Sequence, residues 1–232
     1  TPSEQGALAS AVGAESGVTL LWPDGARRRQ LLGMVWLAES ERFKRRRLHE
    51  ELYGSIRFDL GWRDDVPVAL APGALEVEAP MRPLFAALGQ WRLMQPLTWL
   101  GLHRALGLRA GWLPCWQAPA LGVLCTSAGP EAGAVPAGMA LQRVWLRATK
   151  LGLSMQPMAA SAVLPLQSDA DQAASKGVRE RLQLGWAKLA PGLTPLMVFR
   201  LGRATPPSAR SVRLGLSAYL ANGTDPSQDE SR

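Results

Sequence analysis

An α+β domain is the architecture this sequence predicts, and three stretches carry the prediction. Residues 194–202 are apolar on both faces apart from Arg200, the pattern of a strand buried at the centre of a sheet. Residues 119–126 are a second continuous apolar run of strand length. Between them Leu141, Val144, Trp145, Ala148 and Leu151 recur at i, i+3, i+4, i+7 and i+10, the spacing of one helix face. Gly152 follows as a fitting helix stop.

The remaining elements follow in order. Residues 3–13 read as a short helix with Ser3 as N-cap and Leu8, Ala11 and Val12 inward. Residues 17–22 read as a strand closed by the turn Pro23-Asp24-Gly25. Leu31, Leu32, Val35, Trp36 and Glu39 lie at helical spacing, in a helix that runs to about Phe43. Residues 45–55 are helical again, with Leu48 and Leu52 on one face. Residues 56–62 alternate apolar and polar, which fits a strand or an ordered extended loop. Prolines and glycines make 64–79 a loop. Leu84, Phe85, Leu88 and Trp91 form one helix face, and Trp99, Leu102, His103 and Leu106 another, separated or kinked at Pro96. Residues 127–138, rich in Gly, Pro and Ala, read as a loop before the helix that starts at Met139. Val178, Leu182, Trp186 and Leu189 face inward from a last helix. Residues 1–220 are expected to form a single domain, and the acidic tail 221–232 to be disordered. The first residue is not Met and the opening reads as the middle of something, so a segment ahead of Thr1 is expected.

A chain of 232 residues that is 47% apolar and carries nine tryptophans can build a sizeable core. It has no run of 18 apolar residues, so no membrane-crossing helix and no membrane partner are expected. The net charge of +7 is concentrated in 27–29, 42–47 and 200–213. Such charge suits nucleic acid, but no stacking strip or helix-turn-helix signal accompanies it, so nucleic acid is not the expected partner. The run 42–47 is read as a solvated helix face. Arg200, a charge in an apolar strand, needs a partner, and a carboxylate near a subunit boundary is the expected one.

The order of motifs after residue 139 resembles the C-terminal half of the nitroreductase-like FMN-dependent oxidoreductases. It runs helix 141–152, turn Leu153-Ser-Met-Gln-Pro-Met-Ala-Ala160, strand 195–204, then the basic segment Ser208-Ala-Arg-Ser-Val-Arg213. The resemblance implies a central, mainly antiparallel sheet surrounded by helices, with the 139–152 helix at the core of a homodimer. It implies FMN as cofactor, NAD(P)H as a possible donor and a small-molecule acceptor. By position, Pro157, Met158, Ala159 and Ala160 match the turn whose backbone N–H groups contact the flavin edge, and Arg210 and Arg213 match the phosphate grip. Many relatives carry an acidic residue in that turn, whereas this chain has Ala159 and Ala160.

The family's N-terminal Arg-Arg-Ser motif has no match before residue 17. Arg27, Arg28 and Arg29 follow a strand instead and are read as surface or turn charge. The segment 51–62 resembles a divergent branch that includes flavin-sequestering proteins and domains fused behind adenylylating ones. A non-catalytic flavin-holding role, or an accessory role beside an upstream fused domain, therefore stands as the alternative. Some of that branch shut the flavin off with a lid, and the Trp-, Leu- and Pro-rich stretch 64–112 has the composition for one.

No side chain is assigned as catalytic. Cys115 and Cys125 form no C-x-x-C and lack a paired His or acid, so Cys125 is read as inert core and the compartment as a reducing cytoplasm. His103 is read as a structural histidine and His49 as part of a surface helix. With only these four candidate ligands, no metal site is expected.

Overall fold

Four antiparallel strands in the order β1-β2-β4-β3 organise the larger part of the chain. They are β1 (Val18–Leu21), β2 (Ala120–Thr126), β3 (Ser154–Pro157) and β4 (Thr194–Gly202). The computed structural model describes residues 1–13, 17–62, 64, 68–75, 77–167, 173–206, 209, 212 and 214. The expected tail, 221–232, lies outside them. The chain divides into two compact units, Thr1–Glu50 with Gly89–Thr205, and Glu51–Leu88 with Pro206–Arg232.

In the first unit, β2 and β4 occupy the middle of the sheet, as their two-sided apolar pattern predicts. Leu121, Val123 and Cys125 of β2 and Val198 of β4 face one helical layer. That layer holds α2 (Gly25–Lys44), α9 (Ala160–Val163) and α10 (Lys176–Leu189). Leu124, Phe199 and Leu201 face the other layer, α1 (Pro2–Ser10) and α8 (Pro130–Lys150). The sheet is thus sandwiched, and each strand supplies alternate residues to two separate cores.

The helix ends explain several departures from the sequence reading. The N-cap of α1 is Thr1 rather than Ser3, because Thr1 and Glu4 close a reciprocal capping box. Helix α8 begins at Pro130, nine residues before Met139. Its buried seam is Gly133, Ala137, Ala140, Val144 and Ala148, so small residues that look loop-like let the helix lie close on β2. An added Cβ at Gly133 would collide with the Thr126 side chain, 2.7 Å from its Cβ. Trp145, placed inward by spacing, is instead 38% exposed. Gly152 takes φ +69° just past α8, the left-handed conformation expected of its stop.

Between α2 and β2 the chain makes α5 (Trp91–Trp99), α6 (Leu102–Gly107), a π-helical turn (Leu108–Trp112) and α7 (Leu113–Gln117). Pro96 sits inside α5, and the break falls instead at Gly101, whose φ is +86°. Residues 102–112 pack on α2 by backbone contact. A Cβ on Gly107 would stand 2.6 Å from Ser40 N and 2.8 Å from Ser40 Cα, and one on Gly111 would stand 3.0 Å from Val35 Cγ1. This half of the 64–112 stretch is therefore a packed layer. His49 belongs to α3 (Arg46–Gly54) and is buried rather than at the surface, with its ring 5.3 Å from that of Trp91.

The second unit, which holds α4 (Arg82–Ala87), gathers aromatic rings. Tyr53 packs on Phe58 and Phe85 at 6.0 and 5.2 Å between centroids. The Arg82 guanidinium lies 4.8 Å from the centre of the Trp62 ring. Residues 56–62 do not form a strand: a single parallel bridge joins Ile56 to Leu70.

The Gly107 contact reverses the usual helix rule. An exposed helical Gly→Ala substitution stabilises by up to about 1 kcal/mol, and Gly33→Ala on α2, with no atom within 4 Å of the new Cβ, should do so. Gly107→Ala should instead cost about 1–3 kcal/mol, because α6 must move off Ser40. Urea unfolding of the two variants checks the opposite signs.

Candidate functional site

The turn after β3 is built by the sheet. Gln156 pairs with Arg200 and Pro157 with Phe199 across β3 and β4, and the Met158 N–H then donates to Val198 O at 2.7 Å. That last bond ends the ladder and turns the chain into α9. Met158 is buried in the core, whereas Pro157, Ala159 and Ala160 are half-buried. Proline has no N–H and the Met158 N–H is engaged, so of the four matched residues only Ala159 and Ala160 keep a donor. Among the described residues neither of those two N–H groups has a hydrogen-bond partner. Both carry only a methyl side chain, which leaves the backbone uncovered. Arg210 and Arg213 lie outside the described residues.

Next to the turn, on the α2 face of the sheet, lies a polar pair that sequence reading half identified. Arg200 Nε donates to Gln156 Oε1 at 2.5 Å, and Nη1 reaches Pro114 O at 3.4 Å. The partner of Arg200 is thus an amide and a carbonyl, not a carboxylate. The antiparallel register sets the two side chains side by side on one face, where a neutral acceptor suffices for a half-exposed cation. Gln117, Ser154, Gln156, Arg200 and Arg203 contribute the polar lining of a cavity of about 230 Å³ here. Gln156 and Gln117 were missed. The alternation of Ser154 and Gln156 around Met155 was the available signal for a strand with one polar face.

The wall of this cavity is fixed by Arg28. Its Nη2 donates to the carbonyls of Cys115, Trp116 and Ala118 at 3.0, 3.2 and 2.6 Å, closing the C-terminus of α7. Read as surface charge from its neighbours, Arg28 instead satisfies the carbonyls a helix end leaves open, where a cation is also favoured by the helix dipole. Only the position, one turn into α2 and facing the sheet, distinguishes it from Arg27 and Arg29, which are exposed.

Other reactive groups are quiet. Burial pushes the Cys115 thiol up to about 11 and the Cys125 thiol up to about 12. Neither is a nucleophile near neutral pH, as read for Cys125 from its strand. Burial, with the nearby Lys44, lowers the His103 pKa. Among the described residues no group of three His, Cys, Asp or Glu is placed to hold a metal.

No family model matches this chain, and neither does any curated protein. Solved structures do. The FMN-dependent nitroreductase NfnB from Mycobacterium smegmatis, solved in complex with NADPH, is similar at 18% identity and a TM-score of 0.46, covering 94% of this chain and 86% of that one. The FMN- and NADPH-dependent nitroreductase NfnB from Sphigopyxis sp. strain HMH is similar at 16% identity and a TM-score of 0.41, covering 94% and 87%. A likeness this distant leaves the role of each residue to the chain's own geometry.

Three charge-assisted bonds meet at Arg28, so Arg28→Gln should destabilise the protein by about 1–3 kcal/mol. Arg27→Gln and Arg29→Gln should stay within about 0.5 kcal/mol of the parent. Thermal melts of the three single variants check the contrast.

Proposed function

We propose that this chain binds FMN against the turn 157–160 and works as an FMN-dependent NAD(P)H oxidoreductase of nitroreductase-like fold. The observation that carries the reading is the pair of unengaged N–H groups at Ala159 and Ala160, next to a sheet bond that fixes the turn. FMN, when bound, supplies the hydride chemistry through its N5 atom, between a nicotinamide or bound substrate and a small-molecule acceptor. The chain's part is to hold and orient. Ala159 and Ala160 would donate to the polar edge of the ring, with only methyl side chains beside it, and the resemblance would give the phosphate to Arg210 and Arg213, whose forked donors suit it. No side-chain acid or base is needed for this.

That same feature favours one alternative. An acidic residue is missing from the turn, so substrate handling there falls to other parts of the molecule or is absent. The second reading is a non-catalytic flavin-holding protein, or an accessory domain beside an upstream fused one. Retained flavin without turnover of NADH or NADPH would select the flavin-holding role, and a chain that retains no flavin would select the accessory one.

The reading also includes a homodimer through α8. Opposite its buried seam, α8 presents Val135, Met139 and Leu146, which are 72%, 57% and 60% exposed. An outward apolar stripe of this kind suits an isologous contact. Light scattering should give a dimer mass for the parent and a monomer mass for Leu146→Glu.

The decisive experiment is FMN uptake followed by absorbance through gel filtration. Ala159 has φ −69°, an angle proline adopts without strain, so Ala159→Pro deletes the N–H and leaves the turn in place. The parent should retain flavin. Ala159→Pro should bind it about tenfold more weakly and make the bound flavin harder to reduce. A parent that takes up no FMN ends the proposal.

A further inference from the structure

We infer that the tip between α5 and α6 docks on an anionic lipid surface. Trp99 and Leu100 form this tip and are each 83% exposed, more than any other large apolar residue described. They lie at the end of α5 ahead of Gly101, and Leu93 and Pro96 extend the same outward face along α5, while Met94 and Thr98 are buried on the opposite one.

Charge selects the occupant. From residue 79 to residue 130 the sequence contains no Asp or Glu. Around the tip, Arg92 and Arg104 are exposed. The acids that α2 brings to this side are buried and engaged. Glu39 accepts from Arg42 at 2.9 Å, and Glu41 accepts from the Ser175 N–H at 2.7 Å. An isologous contact with a second copy would set arginine against arginine across the two-fold axis. An anionic bilayer offers the opposite charge to the arginines and an apolar layer to Trp99 and Leu100, and indole favours that boundary. Among the described residues no helix is long and apolar enough to cross a membrane. The contact is therefore one of lying on the surface, and a single tip of this size makes it reversible.

The test is co-sedimentation of the full chain with vesicles of phosphatidylcholine alone and of phosphatidylcholine with an equal part of phosphatidylglycerol. Binding is expected to the mixed vesicles only, and to fall as salt shortens the screening length from about 10 Å at 0.1 M to about 3 Å at 1 M. Trp99→Ser combined with Leu100→Ser should lower partitioning about tenfold, with unchanged circular dichroism, melting and FMN uptake. Arg92→Glu should weaken it separately. The inference is overturned if neither vesicle is bound, if both are bound equally, or if the double variant binds like the parent. It is also overturned if the double variant changes the mass in light scattering, which would make the tip a contact between copies. FMN uptake is read independently, so this result and that of the proposed oxidoreductase function do not depend on each other.

Discussion

The pairing of β2 with β4 is the constraint on which the larger unit depends. Both strands are apolar on both faces, so neither is stable unless helices cover each side. One face draws α2, α9 and α10 into place, and the other draws α1 and α8. Gly122 shows how tightly the pair is made, because Phe199 of the facing strand occupies the space a side chain would take. Once β4 is set, its other edge accepts β3, and the position of the turn after β3 follows from the register.

Arginine does much of the closing work. Arg28 caps α7, Arg143 reaches Ala11 O and Val12 O at the end of α1, and Arg203 reaches Leu151 O and Gly152 O at the end of α8. Helix C-termini leave carbonyls unsatisfied and carry partial negative charge, and the fork of an arginine answers both. These three cations are therefore structural. A charge count alone cannot separate them from exposed ones, because it does not see that each of the three is spent on a distant helix end.

What the sequence disclosed depended on range. Strand β4 was legible to the residue because its signal is its own composition. The stop at Gly152 was legible because a left-handed cap needs glycine. The start of α8 was not, since Gly133 and Ala137 are small for the sake of β2, a partner that local pattern does not reveal. Nor was the partner of Arg200, because Gln156 meets it only through an antiparallel register set by β3 and β4. His49 was misplaced at the surface for the same reason: its neighbours in sequence are charged, while its neighbour in space is Trp91.

The candidate site was read from the order of motifs and not from any reactive side chain, and the geometry gives the reason. In the proposed reading its working groups are main-chain donors, which every residue but proline carries and no composition can flag. What distinguishes one donor from another is whether the fold has already used it. Pro157 lacks the group and Met158 commits its own to Val198. The bond that terminates the sheet is thus also the one that decides where donors remain, and it leaves them on two adjacent residues with the smallest chiral side chain. If the proposed reading holds, such a site would tolerate the loss of an acidic side chain, because orientation would come from a backbone held by β4 and not from the residue that the turn displays.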